Sequence, residues 1–409
     1  MDVIVDRVAP KVEGTYDREI SLDRAHAKLE SLRRRYAITR VADVTHLDRI
    51  GIPVIAAIVP GSADGIGVYN GKGRSKREAV IGAVMEATER QVAAQFRPSS
   101  HRVRAAEIAR SLDLAALNLF PRWTDEALEC VDGVNLLDGS TLHVPIALVA
   151  SPWYGESYFP WTHTSGLASG ATFLEAVYHG LMELVERHVW SLAHIRASVI
   201  PMLLRSRDRH DDDMAIGEEV VWPTGDSEID ALCGMVTGAG LRMRLVLLRE
   251  GELPYVFNAA IIDPNAECIE VAYGKGASLS PKHAAIRAIT EAAQSRLTDI
   301  QGAREDLDRR AKLSRKRWYA EGPARSALEF ASLPDRSSLD LAVDLRAILV
   351  ALSNIGIRTV AAVELSSEHG ISVARIIAPG LESYVVDQRV GAIARTEFTA
   401  FVSRLQSHT

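Results

Sequence analysis

The chain has 409 residues, of which 47% are hydrophobic and 24% are charged. This balance is typical of a globular protein with a substantial core, and it excludes collagen, a coiled coil and bulk disorder. The 53 acidic residues outnumber the 47 basic ones and give a formal net charge of −6. A chain this acidic has no global field that attracts polyanions, so we expect no nucleic-acid partner.

No segment predicts a membrane or secreted protein. The longest apolar stretches, such as 52–59 and 144–150, are too short to span a bilayer. Residues 1–7 lack the basic and apolar segments of a signal peptide. The three cysteines, Cys130, Cys233 and Cys268, lie far apart and fit neither a disulfide framework nor a zinc knuckle. We therefore expect a cytoplasmic protein with no membrane partner.

Runs rich in β-formers alternate with long periodic helical runs, which predicts a mixed α/β fold. The predicted strands are Ile52–Val59, Thr141–Ala150, Met243–Leu248, Tyr255–Ile262, Cys268–Ala272, Thr359–Val363 and Ser372–Ile377. The predicted helices are Leu22–Tyr36, Lys76–Gln95, Phe173–His194, Pro281–Thr298, Leu339–Ser353 and Val390–Leu405.

Three of the predicted helices repeat one pattern. When they are aligned on Glu86, Glu183 and Glu291, each has alanine seven residues earlier and a small residue three residues earlier. Three residues later, each has glutamate or glutamine, and these offsets share one helical face. Because small residues let helices approach closely, we expect the three helices to bring six oxygen-bearing side chains together: Glu86, Glu89, Glu183, Glu186, Glu291 and Gln294.

Such a cluster needs a cation, since crowded carboxylates raise one another's pKa. Ligand sets of oxygen alone suit hard ions, and Mg²⁺ above all. Mg²⁺ usually takes one or two carboxylates and completes its shell with water and phosphates, so several carboxylates predict two or more ions on a polyphosphate. The Gly-Lys-Gly segments 71–73 and 274–276 add flexible backbone and an ammonium group before two of the helices.

Two plainer interpretations stay open. Glu86 with Arg90 and Glu183 with Arg187 are i,i+4 pairs, which are usually solvated salt bridges of small worth. An old duplication of purely structural helices would also repeat the pattern. The threefold agreement favours the cluster, because surface helices do not need small residues at those offsets. The chain has no P-loop, dinucleotide fingerprint, GxSxG or HExxH motif.

The segments GKGRSKREAVIGAVMEATER, SGLASGATFLEAVYHGLMELVER and AAIRAITEAAQSRL resemble the successive signatures of the YcaO superfamily. The match spans about residues 37–385. The stretches ITRVADVTHLDRIGIPV and VARIIAPGLE resemble the branch that works with a TfuA-like protein. The resemblance implies a YcaO-like α/β fold in which mixed sheets and helices enclose a non-P-loop ATP and Mg²⁺ site. We divide the chain into an N-terminal segment 1–50, a catalytic domain 51–385 and a C-terminal helix 386–409.

The resemblance also implies a reaction. YcaO enzymes add a nucleophile to a peptide backbone amide and phosphorylate the resulting oxyanion with ATP, after which phosphate leaves. A side-chain nucleophile gives an azoline, and a sulfide equivalent gives a thioamide. We expect thioamide formation in a precursor peptide or protein, together with a TfuA-like partner and a sulfur donor. A cyclodehydratase that forms azolines and a non-catalytic ATP-binding scaffold remain alternatives, and a homodimer remains open.

Site residues follow from the resemblance by position, although it indicates no catalytic residue for proton transfer. The implied magnesium ligands are Glu86, Glu89, Glu183, Glu186 and Glu291. The implied ATP-binding residues are Lys72, Glu86, Arg90, Glu175, Arg187, Arg287 and Gln294.

The chain departs from the family pattern at three positions and at its end. Gly82 stands where the family usually has serine, and Ala168 and Ala171 replace common polar residues. These changes predict weaker nucleotide contacts with the ion ligands intact. The final residues FVSRLQSHT lack the proline-rich tail of many azoline-forming members, which favours thioamide formation or a partner-dependent enzyme.

Overall fold

The computed structural model describes residues 7–117, 126–155, 163–200, 215–265, 271–302, 322–387, 391–396 and 398–399. Its strands are β1 (Arg40–Asp43), β2 (Val54–Ile58), β3 (Val68–Lys72), β4 (His101–Arg104), β5 (Ala127–Asn135), β6 (Thr141–Pro145), β7 (Leu167–Gly170), β8 (Glu218–Val220), β9 (Arg242–Leu248), β10 (Tyr255–Ile262), β11 (Val271–Ser278), β12 (Ser326–Leu328), β13 (Ala361–Ser366) and β14 (Ser372–Ile377). Its α-helices are α1 (Leu22–Arg35), α2 (Lys76–Gln95), α3 (Ala105–Ile108), α4 (Ile146–Val149), α5 (Phe173–His194), α6 (Ser227–Gly238), α7 (Pro281–Gln301), α8 (Leu341–Asn354) and α9 (Tyr384–Asp387).

The strands form three separate sheets. Strands β1, β2 and β3 make an antiparallel meander. The second sheet has the order β11-β10-β9-β8-β12, with only the last pair parallel. The third sheet runs β4-β5-β13-β14-β7, and β6 pairs with β5 as well. The predicted mixed α/β fold is therefore confirmed.

Each of the three repeated helices follows a strand and packs against it. These units are β3–α2, β7–α5 and β11–α7, and each strand contributes a glycine to the contact. A Cβ added to Gly71 would lie 2.1 Å from the backbone of Ala79 and Ala83. A Cβ on Gly276 would lie 2.2 Å from the Ala284 carbonyl oxygen. The small helical residues therefore fit against glycines of their own strands.

This packing corrects two expectations from the sequence. We expected the small residues to let helices approach one another, but they let each helix approach its preceding strand. We also expected the Gly-Lys-Gly segments to be flexible entries to the helices. Instead, Gly71 and Lys72 end β3, and residues 274–276 lie inside β11. The glycines serve close packing, since real Cβ atoms could not occupy these spaces.

Local hydrogen bonds fix where the helices begin. The Ser75 hydroxyl accepts a hydrogen bond from the Glu78 backbone N–H, and Thr172 accepts one from Glu175. A serine or threonine followed three residues later by glutamate is the signature of a helix N-terminus. Both α2 and α5 have the predicted bounds. Pro281 begins α7, as predicted.

The N-terminal segment runs across the beginnings of several of these helices. Arg74, before α2, donates to the Gly14 carbonyl and the Tyr16 hydroxyl. Arg18 forms an ion pair of 2.8 Å with Glu175 in α5. Tyr16 and Asp17 have φ angles of 50° and 58°, in the left-handed region that few side chains adopt. The segment is held in this conformation by contacts distributed over the whole fold.

Other predicted elements need adjustment. The strand predicted at Thr141–Ala150 ends at Pro145, and α4 completes the run, because an apolar run alone does not separate a buried strand from a buried helix. Short or polar strands, among them β1, β4 and β8, were not predicted from the sequence. Residues 390, 397 and 400–405 of the last predicted helix and residues 268–270 of a predicted strand lie outside the described residues.

The apolar core lies on both sides of the sheets. Helices α5 and α8 pack with parts of β13 and β14 in one cluster, and α6 and α7 pack on the second sheet in another. Helices α1 and α2 cover the meander. In the part of the chain that the structure describes, no helix is both long and apolar enough to cross a membrane.

Candidate active site

A cavity of about 610 Å³ lies among α2, α5 and α7, close to β3, β7 and β11. Its volume falls within the range usual for small-molecule sites. All but one of the predicted site residues line it: Lys72, Glu86, Glu89, Arg90, Glu183, Glu186, Arg187, Arg287, Glu291 and Gln294. The three repeated helical faces therefore converge on one space.

The convergence raises the pKa values of two of the glutamates, Glu89 and Glu186. Burial raises the pKa of Glu89 well above its ordinary value, and the carboxylates of Glu183 and Glu86 raise it further. Burial and the Glu291 carboxylate raise the pKa of Glu186 to about 7. Without a cation, burial and mutual repulsion therefore favour the protonated forms of Glu89 and Glu186. A bound dication would remove the repulsion and favour their charged forms.

Glu291 behaves in the opposite way because the protein supplies its cation. Its Oε2 atom lies 2.5 Å from the Lys72 Nζ atom, and its Oε1 atom accepts a 3.1 Å hydrogen bond from the Lys275 backbone N–H. Burial alone raises the pKa of Glu291, but the Lys72 ammonium outweighs it and leaves the pKa below its ordinary value. The Lys275 ammonium lies 3.5 Å and 3.7 Å from the ring centroids of Trp190 and Tyr273.

Arg187 of α5 and Arg90 of α2 each form an ion pair with a carboxylate. Arg187 pairs with Glu183 at 2.8 Å, and the Gly166 backbone N–H donates to the other oxygen of Glu183 at 2.8 Å. Arg90 pairs with Asp64 at 2.9 Å. The predicted i,i+4 pair of Glu183 with Arg187 is thus formed inside the cavity. It orients a carboxylate and a guanidinium towards one space.

The glutamates surround the cavity without closing on one point. Among the described residues, no three of their ligand atoms lie within 4.8 Å of one another. This spacing fits ions that take one or two carboxylates each and complete their shells with water or phosphate oxygens. It does not fit a site in which protein side chains alone enclose a metal ion.

Glu175 is the predicted site residue that lies apart from this cavity. It is buried, and its carboxylate binds Arg18 and the Glu19 backbone N–H, at 2.8 Å and 3.0 Å. It lines a second cavity of about 330 Å³. The two cavities share several lining residues, including Lys72 and Arg287. A role of Glu175 in nucleotide binding stays a prediction.

The sequence analysis assigned no role to two histidines of α5, and the structure separates them. His188 accepts a hydrogen bond from the Glu382 backbone N–H at 2.9 Å. His179 is buried and lines the cavity, and neither ring nitrogen has a partner among the described residues. Burial, together with the Arg18 and Arg287 charges, lowers the pKa of His179 well below its ordinary value, so the ring is neutral.

A helical offset could have found His179. It precedes Glu183 by four residues, and Gly82 and Arg287 precede the reference glutamates of their helices by the same number. All three positions line the cavity. Residues four apart lie on the same face of a helix, so this position belongs to the repeated pattern.

Two further cations near the site come from segments distant in sequence. Arg18 lines both cavities. Arg375 on β14 is buried and donates to the Leu148 carbonyl oxygen at 3.1 Å. Burial lowers the pKa of Arg375 to about 10, although the Glu183 and Glu89 carboxylates oppose the change. Neither residue belongs to the repeated helices, so the internal repeat could not identify them.

Comparison with known proteins agrees with this arrangement of an α/β fold and a cavity rich in carboxylates and cations. A sequence model described as YcaO cyclodehydratase, ATP- and Mg²⁺-binding, matches residues 70–382. The chain belongs to the YcaO family, as its sequence motifs predict. The predicted cofactors, ATP and Mg²⁺, agree with that description.

Three individual similarities extend over most of the chain. An uncharacterised protein of Methanothermobacter thermautotrophicus is 34% identical over 382 residues, covering 88% of this chain and 94% of the relative. A Rhizobium leguminosarum protein, named for its position in the tfuA 3′ region, is 31% identical, covering 94% and 93%. The solved structure of YcaO from Methanopyrus kandleri, bound with AMPPCP and Mg²⁺, has a TM-score of 0.69 and 25% identity, covering 91% and 95%. The Rhizobium name is consistent with the TfuA-associated branch.

Proposed function

We propose that this protein uses ATP and Mg²⁺ to activate a peptide backbone amide by O-phosphorylation, and that it forms a thioamide with the help of a TfuA-like partner. The observation that carries the proposal is the convergence of five glutamates from α2, α5 and α7 on one cavity that also contains basic side chains. Carboxylates for metal ions and cations for phosphate are the parts that phosphoryl transfer requires.

The residues fit the proposed ligands. Glu89 and Glu186 have raised pKa values and are stabilised in their charged forms by a dication, so we assign them to Mg²⁺ together with Glu86, Glu183 and Glu291. When bound, ATP would supply the phosphoryl group that converts the amide oxygen into a leaving group. Mg²⁺ would neutralise the negative charge of the phosphates.

The basic residues and His179 would orient the phosphates. We assign Lys72, Arg187 and Arg287 to phosphate contacts, because each lines the cavity beside a glutamate or His179. Neutral His179 can make hydrogen bonds through both ring nitrogens without adding charge. Gln294 donates to the Asn70 carbonyl oxygen and stays a candidate for contact with the nucleotide, as do Arg90 and Glu175.

Two observations bear on the product. The tfuA neighbourhood in the name of the Rhizobium relative supports thioamide formation with a TfuA-like protein and a sulfur donor. The cyclodehydratase description of the family supports azoline formation as the second candidate. The changes at Gly82, Ala168 and Ala171 would favour a non-catalytic scaffold. That alternative is disfavoured because all five proposed magnesium ligands line the cavity.

The test combines the purified chain, a TfuA-like protein, a candidate precursor peptide, ATP, Mg²⁺ and sulfide. We expect Mg²⁺-dependent ADP release that the peptide stimulates, and a peptide mass increase of about 16 Da for oxygen replaced by sulfur. A mass loss of about 18 Da would identify azoline formation instead. ATP binding without turnover under all these conditions would contradict both enzymatic proposals.

A matched pair of variants separates the site from general stability. Glu89→Gln should abolish peptide-stimulated ADP release, because it removes a proposed metal ligand without changing the shape of the side chain. Glu30→Gln on α1 is the control, since Glu30 is exposed and its ion pairs among the described residues are with Arg33 and Arg34 on the same helix. Equal activity of the two variants would overturn the assignment of Glu89.

A further inference from the structure

A second cluster of metal-binding side chains lies on the third sheet. Asp132 on β5 stands directly opposite His143 on β6. His101 on β4 is paired with Cys130, two residues before Asp132, on the other edge of β5. Diagonal neighbours across a sheet are within reach of long side chains. Three adjacent strands therefore bring two imidazoles and one carboxylate together.

The distances within the cluster are those of ligands around one small ion. His101 Nε2 lies 3.0 Å from His143 Nδ1. Asp132 Oδ1 lies 3.2 Å from His143 Nδ1 and 3.6 Å from His101 Nε2. In a tetrahedral Zn²⁺ site with bonds of about 2.05 Å, neighbouring ligand atoms are about 3.3 Å apart. The three observed separations bracket that value.

Hydrogen bonding alone satisfies this arrangement poorly. If His143 Nδ1 carries the proton shared with His101 Nε2, its single N–H must also serve the Asp132 carboxylate. If His101 Nε2 carries that proton, the Asp132 carboxylate receives no proton from His143 Nδ1. In the neutral imidazoles, two nitrogen lone pairs and a carboxylate oxygen can meet at one place. A dication accepts all three lone pairs at once, which a proton cannot do.

We propose that His101, Asp132 and His143 form a binding site for a transition-metal dication, with Zn²⁺ as its best-suited occupant. Imidazole nitrogen and carboxylate oxygen are ligands that Zn²⁺ prefers, whereas Mg²⁺ prefers oxygen alone. Cys130 does not join them, because it is buried and donates its S–H to the Leu128 carbonyl oxygen. The ligand set is therefore two nitrogens and one oxygen.

The site has an open fourth position and lies away from the glutamate-lined cavity. The side chains of His101, His143 and Asp132 are 42%, 40% and 64% exposed, so water can complete the coordination. None of the three lines the cavity. The strand of this sheet that does line the cavity is β7, and β13 and β14 lie between it and β5. A bound ion would join β4 and β6 to β5. We therefore expect it to stabilise this part of the sheet.

The test is a Zn²⁺ titration of the full chain after removal of metals with EDTA, in excess Mg²⁺ to occupy the hard-ion site. We expect one equivalent of Zn²⁺ to bind and to raise the melting temperature. His143→Ala and His101→Ala should each weaken binding at least about 100-fold. His26→Ala is the control, because His26 is an exposed histidine on α1, and it should bind Zn²⁺ like the unaltered chain.

Co²⁺ serves as a spectroscopic probe of the same ligands. We expect visible d–d absorption without a thiolate charge-transfer band, and we expect His101→Ala and His143→Ala to remove it. Equal Zn²⁺ affinity in both histidine variants and the unaltered chain would overturn the proposal. A thiolate band that persists in the variants would also overturn it, since the metal would then be bound by cysteine.

Discussion

Two glutamates of one cavity are held in opposite electrostatic states. Glu186 is half-buried, and its desolvation and the Glu291 carboxylate raise its pKa to about 7. Glu291 has the Lys72 ammonium at 2.5 Å and keeps a lowered pKa. Burial opposes charge on both groups, but Lys72 and Lys275 outweigh it at Glu291, whereas the Arg287 and Lys72 charges do not outweigh it at Glu186. We therefore assign to Mg²⁺ the further positive charge that an ionised Glu186 needs.

Replacing Glu186 by glutamine should stabilise the metal-free protein above pH 7. The folded-state pKa of about 7 lies above the ordinary glutamate value of 4.5, so the folded chain holds a proton that the unfolded chain has lost between these pH values. This contribution to stability falls as pH rises through that window. Urea unfolding in EDTA gives the measurement. From pH 5 to pH 8, the free energy of unfolding should decline less for Glu186→Gln than for the unaltered chain.

Glu291→Gln is the control for that experiment. It should destabilise the metal-free protein at pH 8, because it leaves the Lys72 ammonium without its carboxylate. Mg²⁺ with ATP should stabilise the unaltered chain and should no longer stabilise Glu186→Gln. A metal-free Glu186→Gln variant that is less stable than the unaltered chain at pH 8 would contradict this account of the site.

At the scale of elements, the repeated strand–helix unit explains why the site residues converge. Glycines in β3, β7 and β11 let α2, α5 and α7 lie unusually close to their strands. The helical face with small residues thus meets the sheet, and the glutamates further along each helix reach the cavity. Helix positions and acidic offsets were predictable because capping residues and the 3.6-residue period are local signals.

The rest of the fold depends on information that the local pattern lacks. Gly71 and Lys72 form part of a strand because β2 pairs with them, and that partner lies more than ten residues away. Arg375 comes near Glu183 and Glu89 because β14 pairs with β7. The repeat indicated which residues share a face, whereas the sheet order determines which other segments complete the cavity.

A pair of glycine substitutions tests the strand–helix contact. Gly71→Ala should cost about 3 kcal/mol, because its Cβ would lie 2.1 Å from the backbone of α2, which cannot move alone. Gly82→Ala should instead stabilise the protein by about 0.5–1 kcal/mol, since alanine favours a helix interior and its Cβ would lie 3.5 Å from the nearest atom.

Chemical denaturation of both glycine variants gives the measurement. Gly82→Ser adds a hydroxyl where the cavities meet, and its effect on the Michaelis constant for ATP tests whether the departure from the family pattern weakens nucleotide contacts. If Gly71→Ala unfolds with the midpoint of the unaltered chain, the close approach of β3 and α2 does not hold.

At the scale of the whole molecule, the N-terminal segment joins elements from distant parts of the chain. Asp17 is buried and binds Lys11 at 2.5 Å and the Ser278 hydroxyl at 3.2 Å. Lys11 also pairs with Asp344 in α8. Burial alone raises the pKa of Asp17, but His283 and Lys11 outweigh it and hold the pKa well below its ordinary value. One carboxylate thus connects the segment with β11, α7 and, through Lys11, α8.

Replacing Asp17 by asparagine should therefore destabilise the entire fold by about 3 kcal/mol at pH 7, because it leaves Lys11 in a buried site with one anion fewer. A lowered folded-state pKa gives stability that is present above the ordinary carboxyl value and is lost as pH falls below it. The difference in the free energy of unfolding between Asp17→Asn and the unaltered chain should accordingly narrow below about pH 4.

Asp23→Asn is the control, since Asp23 is exposed and pairs with Arg77. Its effect on the free energy of unfolding should stay within about 0.5 kcal/mol. Urea unfolding followed by circular dichroism measures both variants, and equal stabilities at pH 7 would show that the segment does not connect the helices energetically.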